Sequence, residues 1–422
     1  MTSPPGKGGR RLLWMMVLAV WALIPGREGC NLALAQAPET VFGGFLESRH
    51  SIQIQSPNDT LASATMARLE MTAYWEKATL FTAADLEENH LLGEESGVSL
   101  HEGYLDLISG NLSIRTGRQI IIWGQADGIR ITDNISPLDY SEYITRDFDE
   151  LRLGVDAVNM NYAGDMGNLQ FIWIPFYRAG VLPAGDSPWH IDTGNSRTVL
   201  PAEEPDNSLS NSEAAVKYAL YLPGADLALS YFYTWADYPA YTPLADGNGD
   251  LTLQPEYYRR HIFGADFSKP FGNFVFRAEA AWFHGNKIAS ATQNTAPVKK
   301  DRIKWLGGLD WYPGNNWTLS AQYSRSRILN PDTDEGLAER TRQDIATLNL
   351  SKDLLREKLT LSALIYLDPD IGDSLTRLSS EYQIMDDLSI FFGSDLFFGD
   401  REGSFGQYKD NTQVWTKIKY YF

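Results

Sequence analysis

The chain ends Gln413-Val-Trp-Thr-Lys-Ile-Lys-Tyr-Tyr-Phe422, and two kinds of side chain take turns along it. Val414, Thr416, Ile418, Tyr420 and Phe422 form one row; Gln413, Trp415, Lys417, Lys419 and Tyr421 form the other. A period of two places each row on its own face of a β-strand, whereas a helix would mix them. The pattern recurs upstream. Leu227, Leu229, Tyr231, Tyr233 and Trp235 alternate with Ala228, Ser230, Phe232 and Thr234. Phe274, Phe276, Ala278, Ala280 and Trp282 alternate with Val275, Arg277, Glu279 and Ala281. Helical periodicity is scarce, so the chain reads as all-β.

The connections between strands sort by length. Short turns are expected at Glu76-Lys77, Gly110-Asn111, Asp165-Met166, Pro223-Gly224, Pro270-Phe271 and Pro313-Gly314. Long connections at 125–152, 181–211, 239–255, 287–300 and 330–339 all fall at the opposite end. Short turns at one end and long loops at the other mark a transmembrane antiparallel up-and-down β-barrel. The count is about eighteen strands, with about sixteen as the alternative. Two of the expected strands, 111–124 and 167–179, run into the first two long connections.

Composition narrows the function classes. Among 422 residues, 36 Lys and Arg stand against 54 Asp and Glu, a formal charge of −18. That balance disfavours nucleic acid as a partner, because neutralising phosphates needs a surplus of cations. Mean hydropathy is −0.29. Past the N-terminus no apolar run reaches the roughly 20 residues of a membrane helix. The single cysteine, Cys30, rules out a disulfide framework. Lys7, Arg10 and Arg11 precede the apolar stretch 12–24, and Ala33-Leu34-Ala35 follows Pro25-Gly26. This is the layout of a secretory signal peptide over residues 1–35, with the barrel occupying 36–422. Lipoprotein cleavage before Cys30 is the rival, and Arg27 and Glu28 oppose it.

The two faces identify the solvents. One face carries the pore-lining candidates Arg68, Glu70, Lys217, Arg277, Glu279, Lys304, Asp310, Arg377, Glu381 and Asp395 among Ser, Thr and Gly. So much charge does not suit a packed core. It suits a wet lumen, with the apolar face against lipid. Trp75, Trp235, Trp282, Trp317, Tyr323 and Tyr420 fall near strand ends, as interfacial girdles do.

The terminal Phe422, with Tyr420 two before it and apolar residues at every second place, resembles the assembly signal of bacterial outer-membrane proteins. Arg115-Thr-Gly-Arg-Gln-Ile-Ile-Ile-Trp-Gly124, followed by Asn134-Ile-Ser-Pro-Leu-Asp139, resembles a poorly characterised family of proteobacterial porin-like proteins. The shared features are a G-x-Q-x-x-x-W-G strand end and an N-x-x-P-x-D loop. The resemblance implies a bacterial outer-membrane location and contact with lipid and lipopolysaccharide. It also implies delivery by the barrel-assembly machinery and passage of a small solute that it does not name. The alginate-export barrels are of similar size, but a polyanion needs a continuous basic path, and the Lys and Arg here are scattered.

Enzymatic chemistry finds little footing. The histidines His50, His90, His101, His190, His261 and His284 show no H-E-x-x-H pairing or metal-ligand spacing, and no G-x-S-x-G elbow occurs. No cofactor and no metal are expected. The acidic stretches Asp246–Asp250, Asp332–Glu335 and Asp368–Asp373 read as solvated turns. In the first, Leu251 stands where a calcium loop needs Gly.

The 125–152 connection is the leading functional candidate, since a loop this long in a compact fold usually has a role. It holds Ile129, Ile131, Ile135, Leu138, Tyr140, Tyr143 and Phe148, which need something to pack on. It is also acidic, with Asp127, Asp133, Asp139, Glu142, Asp147, Asp149 and Glu150 against Arg130, Arg146 and Arg152. Two placements fit: a constriction inside the lumen, set by Asp127, Arg130, Asp133, Asp139 and Asp147, or a cap over the rim. In the first, the acidic excess favours cations. The leading reading is a passive porin-like channel. The alternatives are an exit duct for an envelope exporter, which needs a connected track of inward aromatics such as Tyr74, Phe81, Phe232, Tyr366 and Phe397, and a structural or adhesive barrel.

Overall fold

The computed structural model describes residues 37–190, 197–245, 251–292, 295–332 and 336–422. The expected signal peptide, Cys30, the Asp246–Asp250 stretch and most of Asp332–Glu335 lie outside them.

Eighteen strands close into one antiparallel barrel. The first seven are β1 (Glu39–Gln53), β2 (Thr60–Tyr74), β3 (Ala78–Asn89), β4 (Gly97–Ser109), β5 (Leu112–Gln119), β6 (Val155–Gly164) and β7 (Gly167–Ile174). After a short strand β8 (Arg197–Val199), the wall resumes with β9 (Glu213–Leu222) and β10 (Ala225–Trp235). A hairpin of β11 (Ala240–Ala245) and β12 (Leu251–Glu256) joins β8 in a small separate sheet. The wall continues with β13 (Arg259–Phe271), β14 (Phe274–Ile288), β15 (Val298–Gly314), β16 (Trp317–Ile328) and β17 (Arg342–Leu354). It ends with β18 (Leu359–Asp368), β19 (Asp373–Met385), β20 (Leu388–Phe398) and β21 (Gln413–Tyr421).

Closure is made by β1 and β21, running from the Phe45–Tyr421 pair to Gln53–Gln413. The terminal residue adds a further rung, because Phe422 and Gly44 exchange both backbone hydrogen bonds at 3.1 Å. Every wall strand is thereby paired on both sides, which removes from the barrel the sheet edges that invite aggregation.

Register fixes the faces. Pairs such as Phe45–Arg68, Arg68–Asp85 and Phe81–Tyr104 share one side of the sheet. Followed around the ring, that side is the inner one. Its other face exposes Leu69, Leu229, Phe263, Trp282, Leu348 and Phe392. An apolar belt of this extent around a closed barrel belongs against lipid.

Two of the expected strands stop early. β5 ends at Gln119 rather than near 124, and β7 ends at Ile174 rather than near 179. The cause is the same at both places: the chain leaves the wall and turns into the lumen. The core therefore lies inside the barrel. One cluster joins Ile121, Trp123, Ile131 and Ile135 of the connection to the wall residues Ile172, Phe232, Ile262 and Phe283. A second gathers Trp189, Phe405 and Tyr408 onto Tyr366, Leu375 and Phe397, with Ile129, Tyr143 and Ile144 packed against it.

Candidate functional site

The connection between β5 and β6 crosses the lumen, and the wall holds it by polar contacts at several points. The strongest anchor is Glu279 on β14. Its carboxylate accepts hydrogen bonds from the backbone of Gln125, from Ala126 N (2.9 Å), from Thr132 N (3.2 Å) and from Thr132 Oγ1 (2.8 Å). A buried carboxylate is tolerable when donors converge on it in this way. Gly124 makes the approach possible. Its φ is +86°, and a Cβ there would stand 2.6 Å from Thr132 Oγ1 and 2.9 Å from the Glu279 oxygens. The W-G of the sequence motif is thus the point where the loop meets the wall, and Trp123 Nε1 donates to Gln170 Oε1 at 2.9 Å beside it.

The loop's own charges make it a folded unit. Asp133 accepts from Trp123 N at 2.9 Å and from both Nε and Nη2 of Arg152, at 3.0 and 2.9 Å. Arg130 donates to the Asp133 and Ser136 carbonyls at 2.6 and 3.0 Å and reaches Asp237 at 3.2 Å. Asp139 pairs with Arg146 at 2.8 Å. Burial alone would raise the Asp139 pKa, but Arg146 and the Ser141 amide outweigh it and hold the carboxyl below its ordinary value. Asp127 at the tip behaves oppositely: burial pushes it up, only partly offset by Arg277.

Cations on the far wall take the other end. Arg377 on β19 donates to the carbonyls of Arg146 (3.1 Å) and Ile144 (2.8 Å) while holding Asp395 at 2.8 Å. Lys417 on β21 reaches Asp147 at 3.3 Å and Glu150 at 3.8 Å, and Arg49 on β1 pairs with Glu142. Tyr143 inserts between, its hydroxyl donating to Ser404 O at 2.8 Å and its ring 4.3 Å from that of Tyr408.

This arrangement bears on three expectations. Of its two placements the 125–152 connection takes the lumen rather than the rim: Ile131 and Ile135 pack against Ile172, Phe232 and Phe283 of the inner wall, and Tyr143 packs against Trp189 and Tyr408. The ten pore-lining candidates do all face inward, but most are not free. Arg68 pairs with Asp85 at 2.6 Å, Lys217 with Asp266 at 3.0 Å, and Arg277 with Asp310 at 2.7 Å. Lys304 lines a cavity against the loop. Glu70, Glu381 and Lys304 make no ion pair or side-chain hydrogen bond among the described residues, and of these Lys304 lies 5.1 Å from the Phe283 ring. Third, Arg130, Asp133 and Asp139 hold the loop together by hydrogen bonds and ion pairs, whereas Asp127 and Asp147 keep side-chain exposures of 47% and 67%.

The acidic turn 368–373 is solvated only in its middle, residues 369–372. Asp368 and Asp373 are fully buried. Asp368 holds Arg340, and Asp373 accepts the amides of Phe405 (2.9 Å) and Gly406 (2.6 Å), fixing the segment that carries Tyr408. The aromatic track that an exit duct would need is interrupted. Phe232 belongs to one apolar cluster, Tyr366 and Phe397 to the other, and Tyr74 and Phe81 to neither. Sequence reading missed Arg49, Asp237, Arg260 and Arg302; the strand residues among them sit on the inward parity, which was the available signal. Tyr420 and Phe422 point outward, half exposed.

The family profile described as "Protein of unknown function (DUF1302)" matches residues 92–379. The chain belongs to this family. The match covers the whole inward connection, running from just before β4 into β19. No curated protein matches the sequence. Among solved structures, the DUF1302 chain is similar to OccAB1 of Acinetobacter baumannii, with a TM-score of 0.55, 8% identity, and coverage of 93% of this chain and 98% of that one. It is also similar to OccK11 (OpdR) of Pseudomonas aeruginosa, with a TM-score of 0.50, 8% identity, and coverage of 90% and 96%. At these identities the likeness establishes the fold, which is that of the bacterial outer-membrane porins.

Proposed function

We propose that the protein is a porin-like channel of the bacterial outer membrane, exported by cleavage of residues 1–35 and passing small solutes by diffusion. One observation carries the reading. Inside a closed barrel with a lipid-compatible belt, a folded connection spans the lumen wall to wall and leaves polar spaces on its flanks. Cavities of about 340 and 350 Å³ border it, lined by groups such as Asp127, Asp149 and Arg277 in one and Glu87, His101 and Arg178 in the other. A constriction of this kind selects by size and by fixed charge, without a cofactor or a covalent step. Lipid and lipopolysaccharide would surround the belt, and the outward Tyr420 and Phe422 suit recognition by the assembly machinery.

The test is the conductance of the purified protein in a planar bilayer. Discrete steps that scale with salt concentration support the channel. A folded, heat-modifiable barrel that passes no current in any salt would favour a second reading, a plugged structural barrel, for which the two apolar clusters across the lumen speak. An apolar exit duct has less support, because the inward aromatics do not connect.

A further inference from the structure

Toward the long-loop end, a cavity of about 520 Å³ opens between the spanning connection and the wall of β13–β15. Five cations line it: Arg130 from the loop, Arg260 on β13, Lys287 on β14, and Arg302 and Lys304 on β15. The only carboxylates in its lining are Asp237 and Glu339. Asp237 is shared, 3.2 Å from Arg130 and 3.2 Å from Arg260. Arg302 uses Glu339 at 2.6 Å, and Lys287 turns to Glu256 at 2.8 Å outside the lining. Lys304 has no carboxylate and no hydrogen-bond acceptor among the described residues; its Nζ lies 5.1 Å from the Phe283 ring centre. The Nε of Arg260 is buried and unpartnered.

Five cations against three carboxylates, with Lys304 left without a partner and Arg130 and Arg260 sharing Asp237, is an unfavourable excess of positive charge unless a further anion joins them. The rest of the lining shows what kind. Tyr140 and Tyr238 stack at 5.9 Å, and Tyr258 and Phe283 complete an aromatic surface. The space far exceeds a single inorganic ion and falls within the roughly 300–1,000 Å³ of small-molecule sites. We propose that this cavity binds a small organic carboxylate with an apolar or aromatic body. Lys304 and the Arg260 guanidinium take the carboxylate, by charge-assisted hydrogen bonds suited to its geometry. The tyrosines and Phe283 take the body. As an account of what passes through, this rests on the channel reading; as a binding site, it does not.

The experiment is calorimetric titration of the detergent-solubilised barrel with benzoate and with benzamide, its uncharged counterpart. Benzoate should bind at least about tenfold more tightly, the scale of one charge-assisted contact, and more weakly as salt rises. Lys304→Met should lower benzoate affinity by about tenfold while leaving benzamide unchanged. If that variant loses its heat-modifiable migration, Arg302→Gln gives the same reading from nearer the rim. Equal binding of the two probes, no benzoate binding at all, or variants that bind as the parent does would overturn the proposal. KCl conductance of the same preparation is recorded alongside. Conductance without benzoate binding defeats the site and spares the channel; binding without conductance does the reverse.

Discussion

Glu279 on β14 and Glu381 on β19 stand on the same inward row of the barrel, each a few residues from a short turn, yet they do different work. Glu279 is buried and receives loop donors at 2.9, 3.2 and 2.8 Å. Glu381, like Glu70 on β2, has no ion-pair partner among the described residues. What separates them is whether the spanning connection lies against them. Where it does, an inward charge becomes a fastener, and its field is spent on the groups it holds. Where it does not, the charge faces the lumen and its field is not spent on a partner.

Removing the fastener should have the largest effect. Glu279→Ala leaves the Ala126 and Thr132 amides and the Thr132 hydroxyl without an acceptor, and each such orphan costs about 1–3 kcal/mol. The expected result is loss of hydrogen-exchange protection over 124–133 and a larger, noisier conductance, with the barrel still heat-modifiable. Gly124→Ala should give a weaker form of both, since its Cβ enters the same contact. An untouched exchange pattern in Glu279→Ala would erase the distinction between the two walls.

The contrast also explains what was legible in the sequence. Strand number, face and loop sorting follow from period-two alternation, which is local, and the structure has the expected strands in the expected order. Leu69 against Arg68 is enough to assign a face. What Arg68 or Glu279 touches is set by residues far along the chain, such as Asp85 or Thr132, and no local pattern encodes that pairing. The early end of β5 at Gln119 illustrates the limit. Ile120-Ile121-Ile122-Trp123 reads as the continuation of a strand, because a buried apolar run has the same composition whether it lies in a sheet or packs across a lumen. Gly124 and the spacing of Asp133 and Arg152 carried the missing information, but only as side chains in space.

A second, smaller effect concerns the free charges. Glu70→Gln with Glu381→Gln should move the zero-current potential under a salt gradient toward the anion-selective side. The shift should shrink from 0.1 M to 1 M salt, as the Debye length falls from about 10 Å to about 3 Å. Asp133→Asn should instead disturb the loop, because it breaks contacts with Arg152 at 3.0 and 2.9 Å. If Asp133→Asn shifts the potential with exchange unchanged while the double variant does not, the roles assigned to the two walls are exchanged.

The smallest effect expected is a pH dependence internal to the loop. Burial raises the carboxyl of Asp127, whereas Arg146 and the Ser141 amide hold Asp139 below its ordinary value despite burial. For Asp139 the folded pKa lies below the unfolded one, so its pairing contributes stability above the unfolded value of about 3.9 and loses it as pH falls through the lower folded value. For Asp127 the sign is reversed: its burial costs stability at neutral pH, and protonation relieves that cost. Acidification should therefore neutralise the tip before it releases the Asp139–Arg146 segment. Hydrogen exchange read across pH should show residues 139–146 loosening only below about pH 4, after the reversal potential has already lost the contribution of Asp127. Asp139→Asn should abolish the late step and keep the early one. Loosening of 139–146 ahead of the change in potential would show that Asp139 is not held by Arg146, and that the loop is fastened to the wall alone.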